Sequence, residues 1–229
     1  MKRFLFLACT FMAQPALAQN ILYIGDSHSY VATLSSDDVS KRFGNVFINE
    51  FLARKIKLSY YSACGSSPQS WVIGSRTGCG FTSYDQGEFI SLTKASFASL
   101  TQILRPLEHT AIIVNLGDNM FNWKVTEGKR LATLGSQTIK NKVTGFLKAL
   151  SGKDCIWIGP TYHAPGSIYD KPDAIVDEFY AQLEVELKGT CRLVDSRAFV
   201  PKGQAGDGLH HNNADSRLWA EGVLSTLFF

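Results

Sequence analysis

Three residue types in this chain could together attack an acyl group: a serine, an imidazole to take its proton, and a carboxylate to hold the imidazole. Ser27 stands in Gly25-Asp26-Ser27-His28-Ser29, directly after the apolar run Ile21-Leu22-Tyr23-Ile24, so it leaves a strand on a turn. Asp207 and His210 stand together near the other end, in Asp207-Gly208-Leu209-His210. That spacing lets one turn present both groups, whereas many triads draw them from separate elements. Gly-Asp-Ser alone is a weak sign, because a turn after a strand favours those residues for conformational reasons. The elements that carry the three residues decide whether they can meet.

Apolar runs alternate with amphipathic stretches, the pattern of βαβ units around a parallel sheet. Strands are expected at 21–24, 57–63, 111–116, 155–158 and 191–195. Val39, Phe43, Val46, Phe47 and Phe51 recur at helical spacing, as do Ile139, Val143, Phe146, Leu147 and Leu150, and then Ile175, Val176, Phe179, Leu183 and Leu187. Residues 214–227 read as a closing helix. Two stretches, 64–87 and 118–129, are expected to be irregular, and loops of that length are often functional. Ser27 then follows the first strand, Gly65 the second and Gly117-Asp118-Asn119 the third. Asp207 and His210 lie between the fifth strand and the last helix. Open α/β sheets bind ligands at these carboxyl ends.

Residues 1–18 have the form of a cleaved leader, with Lys2 and Arg3 ahead of an apolar stretch and Ala16-Leu17-Ala18 before the expected cut at Gln19. Residues 19–229 then form one domain in the periplasm or outside the cell, with no later run long enough to span a bilayer. The formal charge of +3 falls to about +1 without Lys2 and Arg3, which gives no electrostatic affinity for nucleic acid. Cys64, Cys79, Cys155 and Cys191 would remain, an even number that favours two disulfides in an exported chain, with three pairings open. No metal-ligand spacing is present, so neither a metal nor a cofactor is expected.

The order of these blocks resembles that of the SGNH, or GDSL-type, hydrolase superfamily. The resemblance rests on Gly25-Asp26-Ser27, Gly65, Gly117-x-Asn119 and Asp207-x-x-His210, and it spans nearly all of 19–229. It implies a three-layer α/β/α sandwich with a five-stranded parallel sheet in the flavodoxin-like order 2-1-3-4-5. It further implies Ser27 as nucleophile, His210 as base and then acid, and Asp207 as the orienter of His210. The oxyanion hole would comprise the Ser27 and Gly65 backbone N–H groups and the Asn119 side-chain amide. One departure stands out: the family's third block often reads Gly-x-Asn-Asp, but Met120 follows Asn119 here and the acid, Asp118, precedes it. The acid's usual bonds must be replaced or absent. In the implied sheet the strands that begin with Cys155 and Cys191 are neighbours, so those two are expected to pair, leaving Cys64 with Cys79 across the loop that begins at Gly65.

Trp71 and Trp123 lie in the loops that carry Gly65 and Asn119, and a flat apolar face beside polar groups suits a sugar ring. His163, after the fourth strand, is a further candidate to line the cleft. These readings point to an exported serine esterase that removes a short acyl group, acetyl first among them, from a carbohydrate such as cell-wall or extracellular polysaccharide. The same triad would serve a lipase, lysophospholipase or thioesterase, or an O-acyltransferase. Outside enzymes, the alternative is a glycan-binding module on a hydrolase scaffold.

Overall fold

The computed structural model describes residues 20–29, 42–104, 109–150, 152–200, 202 and 207–228. The expected leader and Val39 lie outside them. β1 (Asn20–Gly25) is buried throughout after its first residue. α1 (Phe43–Ala53) leads to β2 (Lys57–Ala63), and α2 (Pro68–Ile73) starts with proline, whose fixed φ suits a first helical turn. Four short strands follow: β3 (Ser75–Thr77), β4 (Phe81–Asp85), β5 (Glu88–Leu92) and β6 (Ala95–Phe97). α3 (Leu100–Leu104) precedes β7 (Ala111–Asn115), and the hairpin β8 (Asn122–Thr126) and β9 (Lys129–Thr133) precedes α4 (Thr138–Leu150). The chain ends through β10 (Asp154–Ile158), β11 (Tyr169–Asp170), α5 (Asp173–Leu187), β12 (Cys191–Val194) and α6 (Asn213–Phe228).

The five expected strands are parallel neighbours in the order β2-β1-β7-β10-β12, which is 2-1-3-4-5 counted among themselves. The sheet has seven strands rather than five, because β4 and β5 add antiparallel partners beyond β2. The stretch 64–87 is therefore not irregular throughout. Nor is 118–129, since β8 and β9 pair through a tight turn and join β11 in a separate three-stranded sheet. Both hairpins turn on two residues of positive φ, Gln86 and Gly87 (49° and 90°) and Glu127 and Gly128 (50° and 80°). Such turns match the twist of the strands they join.

Alternation along each central strand divides the core in two. Leu22, Ile24, Ile112, Val114 and Trp157 face Trp71 of α2, Phe146 of α4 and Phe179 of α5. Ile21, Tyr23, Tyr60, Ile113 and Ile156 face Phe43, Phe47 and Phe51 of α1 and Trp219 and Val223 of α6. Helices thus cover both faces, as a parallel sheet with two apolar sides requires. Cys155 and Cys191 are register partners and are bonded, with Cα atoms 4.4 Å apart, at the amino ends of their strands. Cys64 and Cys79 are bonded across the loop after β2. Among the described residues no helix is long and apolar enough to cross a membrane.

Candidate active site

The chain leaves β1 through a single 3-10 turn, Ser27–Ser29. Two tyrosines of the sheet anchor that turn: the Tyr23 and Ser29 hydroxyls are 2.7 Å apart, and the Tyr60 hydroxyl donates to the Ser29 carbonyl. Ser27 Oγ stands 3.0 Å from His210 Nε2, and His210 Nδ1 stands 2.7 Å from Asp207 Oδ2. The other carboxylate oxygen, Oδ1, accepts the backbone N–H groups of Leu209 and His210 at 2.8 and 2.9 Å. Asp207 is thereby held at both oxygens, and Nδ1–H pointing at it leaves the Nε2 lone pair facing the serine. Burial, opposed by its bonds to His210 and Leu209, leaves the Asp207 carboxyl below its ordinary range. Gly208 has φ +85°, and a Cβ there would stand 2.1 Å from the Tyr169 carbonyl oxygen, so only glycine allows this loop to pass. Such an arrangement can take a proton from a hydroxyl and return it to a leaving group.

Gly65 is exposed at φ +75°, a conformation that favours glycine, and nothing lies within 4 Å of where a Cβ would stand. The loop that carries it is tied to β1: Ser66 Oγ donates to the Gly25 carbonyl at 3.3 Å and receives Trp71 Nε1–H at 3.0 Å. Asn119 sits in the 3-10 turn Asp118–Met120 after β7. One of its amide hydrogens points to Asp26 Oδ2 at 3.4 Å, which leaves the other for a ligand.

A cluster of charge lies behind these groups. The Asp118 carboxylate, 2% exposed, takes the Lys171 ammonium on Oδ1 and faces His28 Nε2 at 3.0 Å on Oδ2, the latter as a charge contact out of line for a good hydrogen bond. Asp26 Oδ1 accepts the His28 backbone N–H at 3.0 Å. Burial alone would raise the Asp118 pKa, but Lys171 and His28 hold it well below the ordinary range. Burial lifts Asp26 to about 6, with His28 opposing. Burial would lower the His28 pKa, but Asp118 and then Asp26 bring it above the usual imidazole value. Met120, which follows Asn119 where the resemblance led to an acid, is buried in the core. Lys171 was not foreseen from the sequence, since a buried lysine has no local signature and is rare unless paired.

The two further imidazoles, His163 and His211, stack at 4.2 Å between centroids, and both Nε2 atoms approach the Thr161 hydroxyl, at 3.1 and 2.6 Å. One hydroxyl hydrogen serves at most one of them, so the other must donate. Burial first, then neighbouring positive charge, keeps both rings neutral, His211 down to about 3 and His163 well below the usual value.

Two of the candidate substrate contacts are corrected. Trp71 is fully buried, tilted against Phe97, and its ring has no face open to solvent; it supports the Gly65 loop instead. His163, at 2% exposure, lies beneath the cleft rather than along it. Trp123 is half-buried in β8, edge-on to Tyr169 at 5.1 Å. A cleft of about 390 Å³ opens beside Ser27 and His210, walled by His28, Arg42, His211, Asn212, Asn213 and Ser216. A larger cavity of about 630 Å³, lined by Leu52, Lys55, Ile56 and Tyr84 among others, lies at the opposite end of the strands, far from the Ser27–His210 pair.

No family model matches the chain. Protein BcsX of Komagataeibacter xylinus is 26% identical over 210 residues, which cover 89% of this chain and 74% of that protein. The psychrotrophic esterase EstA from Pseudoalteromonas sp. has a similar structure, with TM-score 0.56 and 14% identity over 91% of this chain and 96% of its own. A putative arylesterase from Agrobacterium tumefaciens gives 0.56 and 17%, over 91% and 97%. A carbohydrate acetylesterase family member from Sinorhizobium meliloti gives 0.54 and 14%, over 91% and 97%. At these identities the structural likeness is one of fold.

Proposed function

We propose, from the SGNH hydrolase fold that this chain has and from the hydrogen-bonded line Ser27–His210–Asp207, that it is an exported serine esterase acting on short acyl esters of a carbohydrate. His210 Nε2 takes the Ser27 proton as Oγ attacks the acyl carbon, and the carbonyl oxygen becomes an oxyanion. The Ser27 and Gly65 N–H groups and the second Asn119 amide hydrogen stabilise that oxygen, each worth about 2.7–4 kcal/mol when deleted. The tetrahedral intermediate expels the alcohol, which takes the proton from His210. Water, deprotonated by His210, then attacks the acyl-enzyme, and the second intermediate collapses to carboxylic acid and free serine.

The observation that carries this reading is the pair of contacts at 3.0 and 2.7 Å through His210, with the carboxylate pinned at both oxygens. The short acyl group and the sugar alcohol are supported by the small cleft beside Ser27 and His210, whose described lining residues are all serine, histidine, arginine or asparagine. A carbohydrate esterase and a carbohydrate acetylesterase among the structural neighbours favour the same substrate class. Two disulfides fit an oxidising compartment. The test is hydrolysis of aryl acetate, butyrate and octanoate beside acetate release from O-acetylated glycans, with fluorophosphonate labelling. Ser27 should be the labelled residue, Ser27→Ala should abolish turnover, and rates should fall from acetyl to octanoyl. Labelling at another serine would end the triad assignment, and a preference for octanoate would move the chain to the lipases.

A further inference from the structure

His28 is a second imidazole at the catalytic face that the ester chemistry leaves unused. Its ring centroid lies 5.2 Å from that of His210, and its side chain is 3% exposed. What surrounds it decides its charge. Asp26 in its own turn and Asp118 after β7 supply two carboxylates. Lys171, between β11 and α5, supplies one ammonium. His163 after β10 and His211 before α6 contribute neutral rings at 6.0 and 5.9 Å, and Trp219 of α6 closes the pocket edge-on at 5.5 Å. At neutral pH, above the Asp26 value of about 6, two buried carboxylates beside one buried ammonium leave an excess negative charge that burial makes costly. A proton on His28 Nε2, facing Asp118 Oδ2, cancels it.

We propose that the buried set Lys171, Asp118, Asp26 and His28 holds His28 as an imidazolium against His210 near neutral pH, making His28 a positioning residue that keeps His210 an unprotonated base there. The proposal deepens the esterase reading and rests on it for its catalytic meaning. His210 is faced by Asp207, which favours its protonated form, by His28, which opposes it, by the neutral His211 and Ser27, and by Arg42 across the cleft. Burial first and the His28 charge second carry His210 below the usual imidazole value, against the pull of Asp207 and of Asp118. A cation at about 5 Å acts strongly even through an effective dielectric near 20, although water at the exposed edge of His210 screens part of it. Removing the charge should therefore raise the His210 pKa by about one unit.

The experiment is a ¹⁵N titration of the five imidazoles of the disulfide-intact protein, assigned through single His→Gln variants. In the wild type, His28 should titrate above the usual imidazole value and His210 below it. In His28→Gln, His210 should move up by about one unit, and the acid limb of kcat/KM on aryl acetate should move with it. A neutral His28 at pH 6, a wild-type His210 at or above 6.5, or an acid limb unmoved in a folded His28→Gln variant would each overturn the proposal. The wild-type titration decides the matter even if that variant does not fold. Fluorophosphonate labelling separates the two readings: if Ser27 is not labelled and no ester is cleaved, the esterase assignment fails while the ring titrations still report on His28.

Discussion

Replacing Asp207 by asparagine should harm catalysis more than removing the side chain altogether. The carboxylate has two kinds of partner: Oδ1 accepts the N–H groups of Leu209 and His210, and Oδ2 faces His210 Nδ1. An asparagine has one oxygen and one NH₂. The two backbone donors can be met only by the oxygen, so the NH₂ must point at His210. The ring then turns its Nδ1 lone pair toward the amide and carries its hydrogen on Nε2, where it faces Ser27 Oγ as a donor. A base with no lone pair toward its serine cannot take the proton.

The loss of kcat should approach the roughly 10⁴-fold found for the same exchange in the serine-protease template, equivalent to about 5.5 kcal/mol of barrier. Asp207→Ala leaves His210 free to choose either tautomer, so its kcat should fall less. Its stability should fall more, by about 1–3 kcal/mol, because two backbone N–H groups lose their acceptor. The assay is kcat on an aryl acetate with thermal melts of both variants, after equal fluorophosphonate titration of active sites. If Asn keeps more than a tenth of the wild-type kcat, or if Ala is the slower enzyme, the orienting role of Asp207 is refuted.

Eliminating the Cys155–Cys191 bond with alanines should lower stability by about 4 kcal/mol in the chain-entropy account and leave kcat unchanged, since the bond lies at the far end of the sheet. Eliminating Cys64–Cys79 should cost about 3 kcal/mol and lower kcat as well, because it loosens the Gly65 loop; equal kcat effects from the two would contradict this. Lys171→Met and Asp118→Asn should each destabilise by about 3–5 kcal/mol in urea unfolding, while the double variant should lose much less than the sum, and strict additivity would show that the pair is not coupled. His211 is held neutral, with a folded-state pKa of about 3 against roughly 6.5 unfolded, so its contribution is full above pH 6.5 and is lost as pH falls toward 3. His211→Asn should therefore gain on the wild type by up to about 1.4 kcal/mol per pH unit below 6.5 in denaturant titrations, whereas a pH-independent gap would rule out a buried neutral ring.

The parallel strands were legible because burial on both faces demands near-continuous apolar runs, and Ile21 to Ile24 or Ala111 to Val114 satisfy that demand without ambiguity. The two hairpins were not. Their turns are Gln86-Gly87 and Glu127-Gly128, and neither has the Asn or Asp before glycine that usually announces such a turn. Ser27, Gly65, Asn119, Asp207 and His210 were singled out by the order of blocks that carries the family resemblance, and the fold brings Ser27, His210 and Asp207 into bonded contact. Trp71 was misread because an indole in a loop beside a polar group looks alike whether it faces a sugar or the core. Its Nε1–H finding Ser66 Oγ is a long-range fact that sequence spacing does not carry.

The segment 166–171 explains how an acid placed before Asn119 can serve. Gly166 N–H donates to the Tyr169 carbonyl, and the Ile168 and Tyr169 N–H groups both donate to the Asp207 carbonyl, at 3.2 and 2.7 Å, so this segment braces the Asp207 loop by backbone alone. Two residues past Tyr169, Lys171 turns inward to Asp118, and Lys142 of α4 fixes the same turn by donating to the Met120 carbonyl at 2.8 Å. In the 3-10 turn Asp118–Met120 the side chains divide by face: Asp118 meets Lys171 and His28, the half-buried Asn119 meets Asp26, and Met120 enters the apolar core. Placing the acid two positions earlier, at 118 rather than 120, commits the carboxylate to a lysine that stands two residues past the Asp207 brace. The turn that carries Asn119 and the loop that carries Asp207 and His210 are thus joined through one short stretch of chain, by backbone bonds at one end and the Lys171–Asp118 pair at the other.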